Sequence, residues 1–153
     1  MSGTRYKSKT AATWIALLGG SVGLHRFYLF GWRDGWGWLF PWPSLVGLVG
    51  VLRMRTLGMD DQLAWLLIPW LGLALAVAMG MAIAYGLTPD ERWDARFNPG
   101  GGHQPMNALT VLGVALSLII GAAILMATIA FTAQRYFEYQ ALQEPTPASM
   151  AHP

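Results

Sequence analysis

Leu63 to Leu87 reads LAWLLIPWLGLALAVAMGMAIAYGL, and Ala108 to Ala133 reads ALTVLGVALSLIIGAAILMATIAFTA. Neither stretch contains an Asp, Glu, Lys or Arg. A helix rises ~1.5 Å per residue and the hydrocarbon core of a bilayer is ~30 Å thick, so about 20 apolar residues cross it. Both stretches are long enough. The rest of the chain agrees with a membrane setting: 54% of its 153 residues are apolar and 12% are charged, where a soluble domain carries ~25% charge. So few charges cannot cover the surface of a soluble domain of this length. Disordered chains are charge-rich and aromatic-poor, and this one is neither. Without cysteine it has no disulfide, no thiolate metal site and no cysteine nucleophile. The net charge of +2 comes from scattered basic residues, with no block that would hold a nucleic acid. The fold class is an all-α integral membrane protein.

Two further uncharged stretches run from Thr10 to His25 and from Gly35 to Leu52. The second opens with Pro41 and Pro43, which predict a kink or interfacial turn at its start. The first reaches ~30 Å only if its helix continues through Phe27 and Leu29 while Arg26 snorkels to the headgroups. A cleaved signal peptide is the rival reading of this end, with a basic flank, an apolar core and small residues at Ser21 and Gly23. Against it, Gly19, Gly20 and Gly23 crowd the apolar core. The expectation is therefore four spans: a basic tail at 1–9, a helical hairpin at 10–52, two further spans within 53–134, and a flexible tail at 135–153. Between the last two spans, Thr88-Pro89-Asp90-Glu91 has the pattern of an N-cap, a first-turn proline and a capping-box glutamate. It predicts either a short interfacial helix over 89–98, with Trp93 and Phe97 on one face in the headgroup layer, or a solvated loop.

Basic residues in short loops favour the cytoplasm. With four spans, one side holds Arg5, Lys7, Lys9, Arg53, Arg55 and Arg135, and the other holds Arg26, Arg33, Arg92 and Arg96. Six against four places both termini in the cytoplasm of a multi-pass protein of the plasma or inner membrane. Rows of small residues suggest where helices meet. Gly72, Ala76, Gly80 and Ala84 recur every four positions in one span, as do Gly113, Ser117 and Gly121 in the next. Such rows let backbones approach closely, within one chain or between copies.

The run Gly20-Ser21-Val22-Gly23-Leu24-His25-Arg26-Phe27-Tyr28-Leu29, after Lys7-Ser8-Lys9 and an apolar helix, resembles the two-transmembrane (TM-two) domain family. The resemblance covers about a third of the chain, from Lys7 to about Leu52. It implies a pair of helices joined by a glycine-rich His-Arg-Phe-Tyr turn. The family usually has glycine directly after the leucine, whereas here Phe30 intervenes before Gly31, and Arg53 and Arg55 stand where an acidic residue often closes the second helix. The family has no established common activity, so the resemblance names a module and not a reaction. In physical terms, Gly20 and Gly23 permit tight turning. Arg26 is within reach of Phe27, Tyr28, Trp32 or Trp36 for cation–π contact, and Asp34 is close enough to pair with Arg26 or Arg33. His25, Arg26, Phe27, Tyr28 and Asp34 thus form either a structural anchor or a recognition turn for a partner or a lipid headgroup.

No metal set, nucleophile elbow or phosphate loop emerges, and the three histidines lie in separate segments. The second, third and fourth expected spans hold no ionisable residue of the kind that marks a transport path. The sequence points to a non-enzymatic integral membrane protein without cofactor, serving structure, assembly or interaction. Its partners would be the lipid bilayer and other membrane proteins or further copies of itself. The alternative is a small transporter or channel subunit that must oligomerise to enclose a pore.

Overall fold

A computed structural model describes residues 6–101 and 105–143. Within them the chain is helical, in the order α1 (Lys9–Gly19), a short 3-10 turn (Gly20–Val22), α2 (Leu24–Phe30), α3 (Gly35–Leu39), α4 (Pro41–Leu57), α5 (Gln62–Leu87), α6 (Asp90–Phe97) and α7 (Ala108–Gln143). Three segments are long and apolar enough to cross a bilayer: Gly35–Leu57, Gln62–Leu87 and Ala108–Gln143. The first of these is α3 and α4 in succession, broken at Phe40 just before the prolines that predicted the kink.

The expected first span takes a different course. Helix α1 has 11 residues, about 16 Å, and ends in the 3-10 turn beside the middle of α5, where a Cβ at Gly20 would come within 2.7 Å of Ala78 Cβ. Gly23 then adopts φ +81°, a left-handed backbone that favours glycine, and the chain reverses into α2. Two contacts show that it returns to its starting level. The Ser8 amide donates to the Tyr28 hydroxyl at 3.0 Å, and the Lys7 ammonium donates to the Leu29 carbonyl. Residues 9–30 therefore form a hairpin that turns about halfway along α5, and not a fourth continuous helix. Gly20 and Gly23 allow this, because each removes a side chain where the turn lies close against another helix, at Ala78 and at Gly37.

The N-terminal segment is clasped at what we call the hairpin end. Lys7 N donates to Asn98 Oδ1 at 2.7 Å, and the Lys7 carbonyl accepts from Trp93 Nε1 at 2.8 Å and Asn98 Nδ2 at 3.1 Å. Lys9 pairs with Asp90 and donates to the Thr88 carbonyl at 3.1 Å. Thr10 meets Thr110 at the start of α7. At the far end, the Arg135 guanidinium of α7 lies 5.0 Å from the ring of Trp65 near the start of α5. Lys7 and Arg135 thus sit at opposite ends of the bundle. The expectation that both tails share a side rested on four spans, whereas three segments among the described residues are long and apolar enough to cross.

Helix α6 forms where the short helix was expected, with Asp90 and Glu91 in its first turn and Arg96 in its last, each complementing the helix dipole. Thr88 does not cap it; its hydroxyl donates back to Ala84 O. Trp93 and Phe97 do share a face, but that face turns inward. Trp93 is buried with Ala12 and Leu29 against Tyr85, where a headgroup position was expected. Helix α7 runs on to Gln143 and is helical across 135–143, where the flexible tail was expected to have begun. Residues 144–153 of that tail lie outside the described residues.

The packing seams are legible only in part from the spacing of small residues. Gly113, Ser117 and Gly121 of α7 are buried, facing Thr13 and Trp14 of α1 and Met79 of α5. On α5 the buried row is Ala74, Ala78, Ala82 and Gly86, two positions out of step with the expected row. Of that expected row, Gly72 meets Thr128 closely and Ala76 is half-buried. Ala84 is exposed, and Gly80 is exposed with nothing within 4 Å of its Cβ position. Two contacts went unanticipated. A Cβ at Gly47 would lie 2.3 Å from Leu71, and one at Gly50 2.7 Å from Leu67, so α4 meets α5 almost backbone to backbone.

Gly121→Leu and Gly47→Leu should each lower the thermal aggregation temperature in detergent, with an overpacking cost on the order of 1–3 kcal/mol. Gly80→Leu should leave it within a degree or two of the parent. Equal losses at Gly80 and Gly121 would mean that the α5 seam is placed on the wrong face.

Candidate interaction site at the glycine turn

The turn is built by short-range geometry. Gly23 N donates to Gly20 O and Arg26 N to Gly23 O, closing the reversal on its own backbone. Ser44 of α4 donates its hydroxyl to the Ser21 carbonyl at 2.7 Å, which satisfies an acceptor that the turn leaves over. A Cβ at Gly23 would lie 2.5 Å from the Gly37 carbonyl, and one at Gly37 2.8 Å from the Phe27 ring. α3 can lie against the turn only because both positions lack side chains.

Each motif residue has a distinct place. His25 is fully buried between the rings of Phe40 (5.2 Å between centres) and Tyr85 (5.7 Å), and no described protein atom bonds either ring nitrogen. Arg26 donates Nε to Asp34 at 2.6 Å. Its guanidinium lies 5.0 Å from the Phe30 ring centre, so Phe30 takes the cation–π place expected of Phe27, Tyr28, Trp32 or Trp36. Phe27 stacks on Trp32 at 5.0 Å and meets Trp38 edge-on. Tyr28 turns its hydroxyl to Ser8. Asp34 stands at the N-cap position of α3 and, through Arg26, ties α2 to the start of the next helix.

The same corner occurs a second time. Gly20, Gly23, Arg26, Gly31, Asp34 and Trp38 recur 27 positions later as Gly47, Gly50, Arg53, Gly58, Asp61 and Trp65. From the arginine onward the geometry recurs too, whereas Gly47 and Gly50 lie inside α4 where Gly20 and Gly23 make a turn. Gly31 (φ +82°) closes α2 with its amide on Phe27 O, and Gly58 (φ +95°) closes α4 with its amide on Met54 O. Arg53 holds Asp61 by two bonds, 2.8 and 3.1 Å. Trp38 donates its indole N–H to Trp32 O at 3.0 Å, and Trp65 donates to Met59 O at 2.7 Å, in each case the residue after the capping glycine. One corner lies at the hairpin end and the other at the far end. Comparing the chain with itself at an offset of 27 would have revealed the set. Separate motif reading missed it because the aromatic and histidine residues of the first copy are absent from the second.

At both corners the Arg–Asp pair joins one helix to the start of the next. The joining of Lys7 to Trp93 and Asn98 escaped sequence reasoning, because nothing in their spacing links residues 86 and 91 positions apart. Among the described residues no group of three His, Cys, Asp or Glu could hold a metal ion. No protein-family model, curated protein or solved structure matches the chain.

Hydrogen bonds from Arg26 and Arg53 hold the carboxyls of Asp34 and Asp61 below the ordinary carboxylate range. The folded chain therefore takes up these two protons less readily than the unfolded one. The stability involved is complete above the ordinary carboxylate pKa and is lost as pH falls through it toward the lowered values. Melting in detergent should drop between about pH 5 and pH 3, and Asp34→Asn with Asp61→Asn should flatten that drop while lowering the melting point at pH 7. Arg26→Lys and Arg53→Lys should each cost a few degrees, since lysine lacks the forked geometry. A loss at one corner only would break their equivalence.

Proposed function

We propose that the chain is a non-enzymatic integral membrane protein whose role is structural, in assembly or interaction, built on a hairpin of the TM-two type. The observation that carries this is where the polar side chains go. Arg26–Asp34 and Arg53–Asp61 each tie one helix to the next, Lys9–Asp90 ties α1 to α6, and the Lys7 clasp ties the hairpin to α6. Polar groups spent on holding helices are not arranged around a reacting centre. The resemblance supports the hairpin reading through Gly20, Gly23, His25, Arg26, Phe27 and Tyr28.

Three crossings with a hairpin of partial depth change the sidedness expected from four. Among the described residues the hairpin end carries Lys7, Lys9, Arg26, Arg33, Arg92 and Arg96, and the far end carries Arg53, Arg55 and Arg135. Six against three favours a cytoplasmic hairpin end, with the end of α7 on the opposite side. The competing topology keeps four spans and both tails in the cytoplasm.

Two observations favour the second reading, a small oligomeric transporter or channel subunit. A corner repeated at both ends of the bundle, and a buried His25 without a hydrogen-bond partner at partial depth, are features that transport proteins share. The two readings separate by size and flux. The structural reading expects a chain that is monomeric in nanodiscs, gives no ion flux in liposomes, and yields a defined membrane-protein crosslink from a photoreactive residue at Arg33. A homo-oligomer that conducts would overturn it. Reporter fusions at the two termini should report opposite sides; the same side for both would restore the four-span topology.

A further inference from the structure

The far corner shows what the turn itself requires. It is made with Leu52, Met54 and Leu57 at the positions held by His25, Phe27 and Phe30 in the hairpin corner. Whatever the aromatic residues of the first copy do, the corner folds without them. Phe30 is 44% exposed, and its ring meets that of Phe97 with centres 5.8 Å apart. Cations gather on this ring pair from three separate elements. The guanidinium of Arg26 lies 5.0 Å from the Phe30 ring centre, that of Arg96 5.4 Å from Phe97, and the Lys7 ammonium 6.0 Å from Phe97. Asp34 occupies only the Nε of Arg26, and Asp94 accepts from Asn98.

Like charges brought to one face repel each other, and ring faces offset this only modestly at a wet surface. An anion between them would offset it far better, through charge-assisted bonds from the forked guanidinium groups. Beside the ring pair, Trp32, Trp36 and Trp38 are exposed at the same corner, and tryptophan indoles favour the headgroup layer.

We propose that the Phe30–Phe97 face, with Arg26, Arg96 and Lys7, binds the phosphate of an anionic phospholipid in the leaflet at the hairpin end. The proposal rests on the membrane reading above. The terminal nitrogens of Arg26 and the guanidinium of Arg96 hold the phosphate, and the two rings take the glycerol and the upper acyl chain. That apolar floor favours a lipid over a free anion, which would gain nothing from it.

The test is native mass spectrometry of the purified full-length chain given equal amounts of phosphatidylglycerol and phosphatidylcholine with matched acyl chains. The parent should retain phosphatidylglycerol several-fold over phosphatidylcholine. Arg96→Gln should reduce that preference about fivefold, the factor for one basic residue at an anionic surface. Phe30→Leu, which copies Leu57 of the far corner, should reduce it while leaving melting in phosphatidylcholine unchanged. Arg55→Gln at the far corner should leave the preference as it was. Equal retention of the two lipids, or an equal loss in Arg55→Gln, overturns the proposal. Displacement of phosphatidylglycerol by millimolar inorganic phosphate also overturns it, in favour of a free-anion site. Flotation with neutral phosphatidylcholine vesicles separates the two levels. A chain that does not float fails the membrane reading and this proposal together; one that floats without a lipid preference fails this proposal alone.

Discussion

A backbone that reverses beside the middle of an apolar helix long enough to cross a bilayer is best served by polar partners within the protein itself. The turn at Gly20 to Gly23 meets that constraint with its own amides and with the Ser44 hydroxyl. Its glycines let it lie against Ala78 and Gly37 without a gap. The rest of the molecule follows from that turn. Because α1 stops there, α5 is covered by α1 over one half only, and α4 and α7 pack on α5 along their own seams. Because α2 returns to the level of Lys7, the N-terminal segment and α6 come together, and Trp93 is drawn inside between Ala12 and Leu29.

The two corners show how a small membrane protein can use one solution twice. Each joins a capping glycine of positive φ, an Arg–Asp pair across the turn and an indole closed on the carbonyl after the glycine. These parts all act locally, so the corner does not depend on the helices it joins. The hairpin copy adds aromatic rings and collects cations from α2, α6 and the N-terminal segment; at the far copy a single cation from another element, Arg135 of α7, lies over Trp65. The common parts carry structure, and the parts that differ are the place to look for recognition.

The candidate site was partly legible in the sequence for the same reason. Arg26 and Asp34 could be paired from spacing, since eight residues with a glycine between them form a compact turn. The ring facing the guanidinium is Phe30, one turn further along α2, a neighbour that helical spacing offered beside four other nearby aromatics. The clasp of Lys7 by Trp93 and Asn98 was invisible, since it joins distant segments that carry no shared pattern.

The sequence by itself determined that the chain is helical and suited to a membrane, because length and missing charge answer directly to the thickness and polarity of a bilayer. It also carried local signals of helix ends, since Ser8 caps α1 and Gly31 and Gly58 close α2 and α4 on neighbouring backbone, but not the end of α1 at Gly19. It could not decide which face of α5 is buried. Small residues occupy every second position from Gly72 to Gly86, so two rows on nearly opposite faces fit the rule for close packing equally well. Only the arrival of α1, α4 and α7 selected the row of Ala74, Ala78 and Ala82 and left Gly80 and Ala84 outside. Nor could it decide whether residues 9–30 cross or turn back. That depends on whether two distant surfaces, Ala78 on α5 and Tyr28 beside Ser8, are there to hold the turn, and only the assembled bundle supplies them.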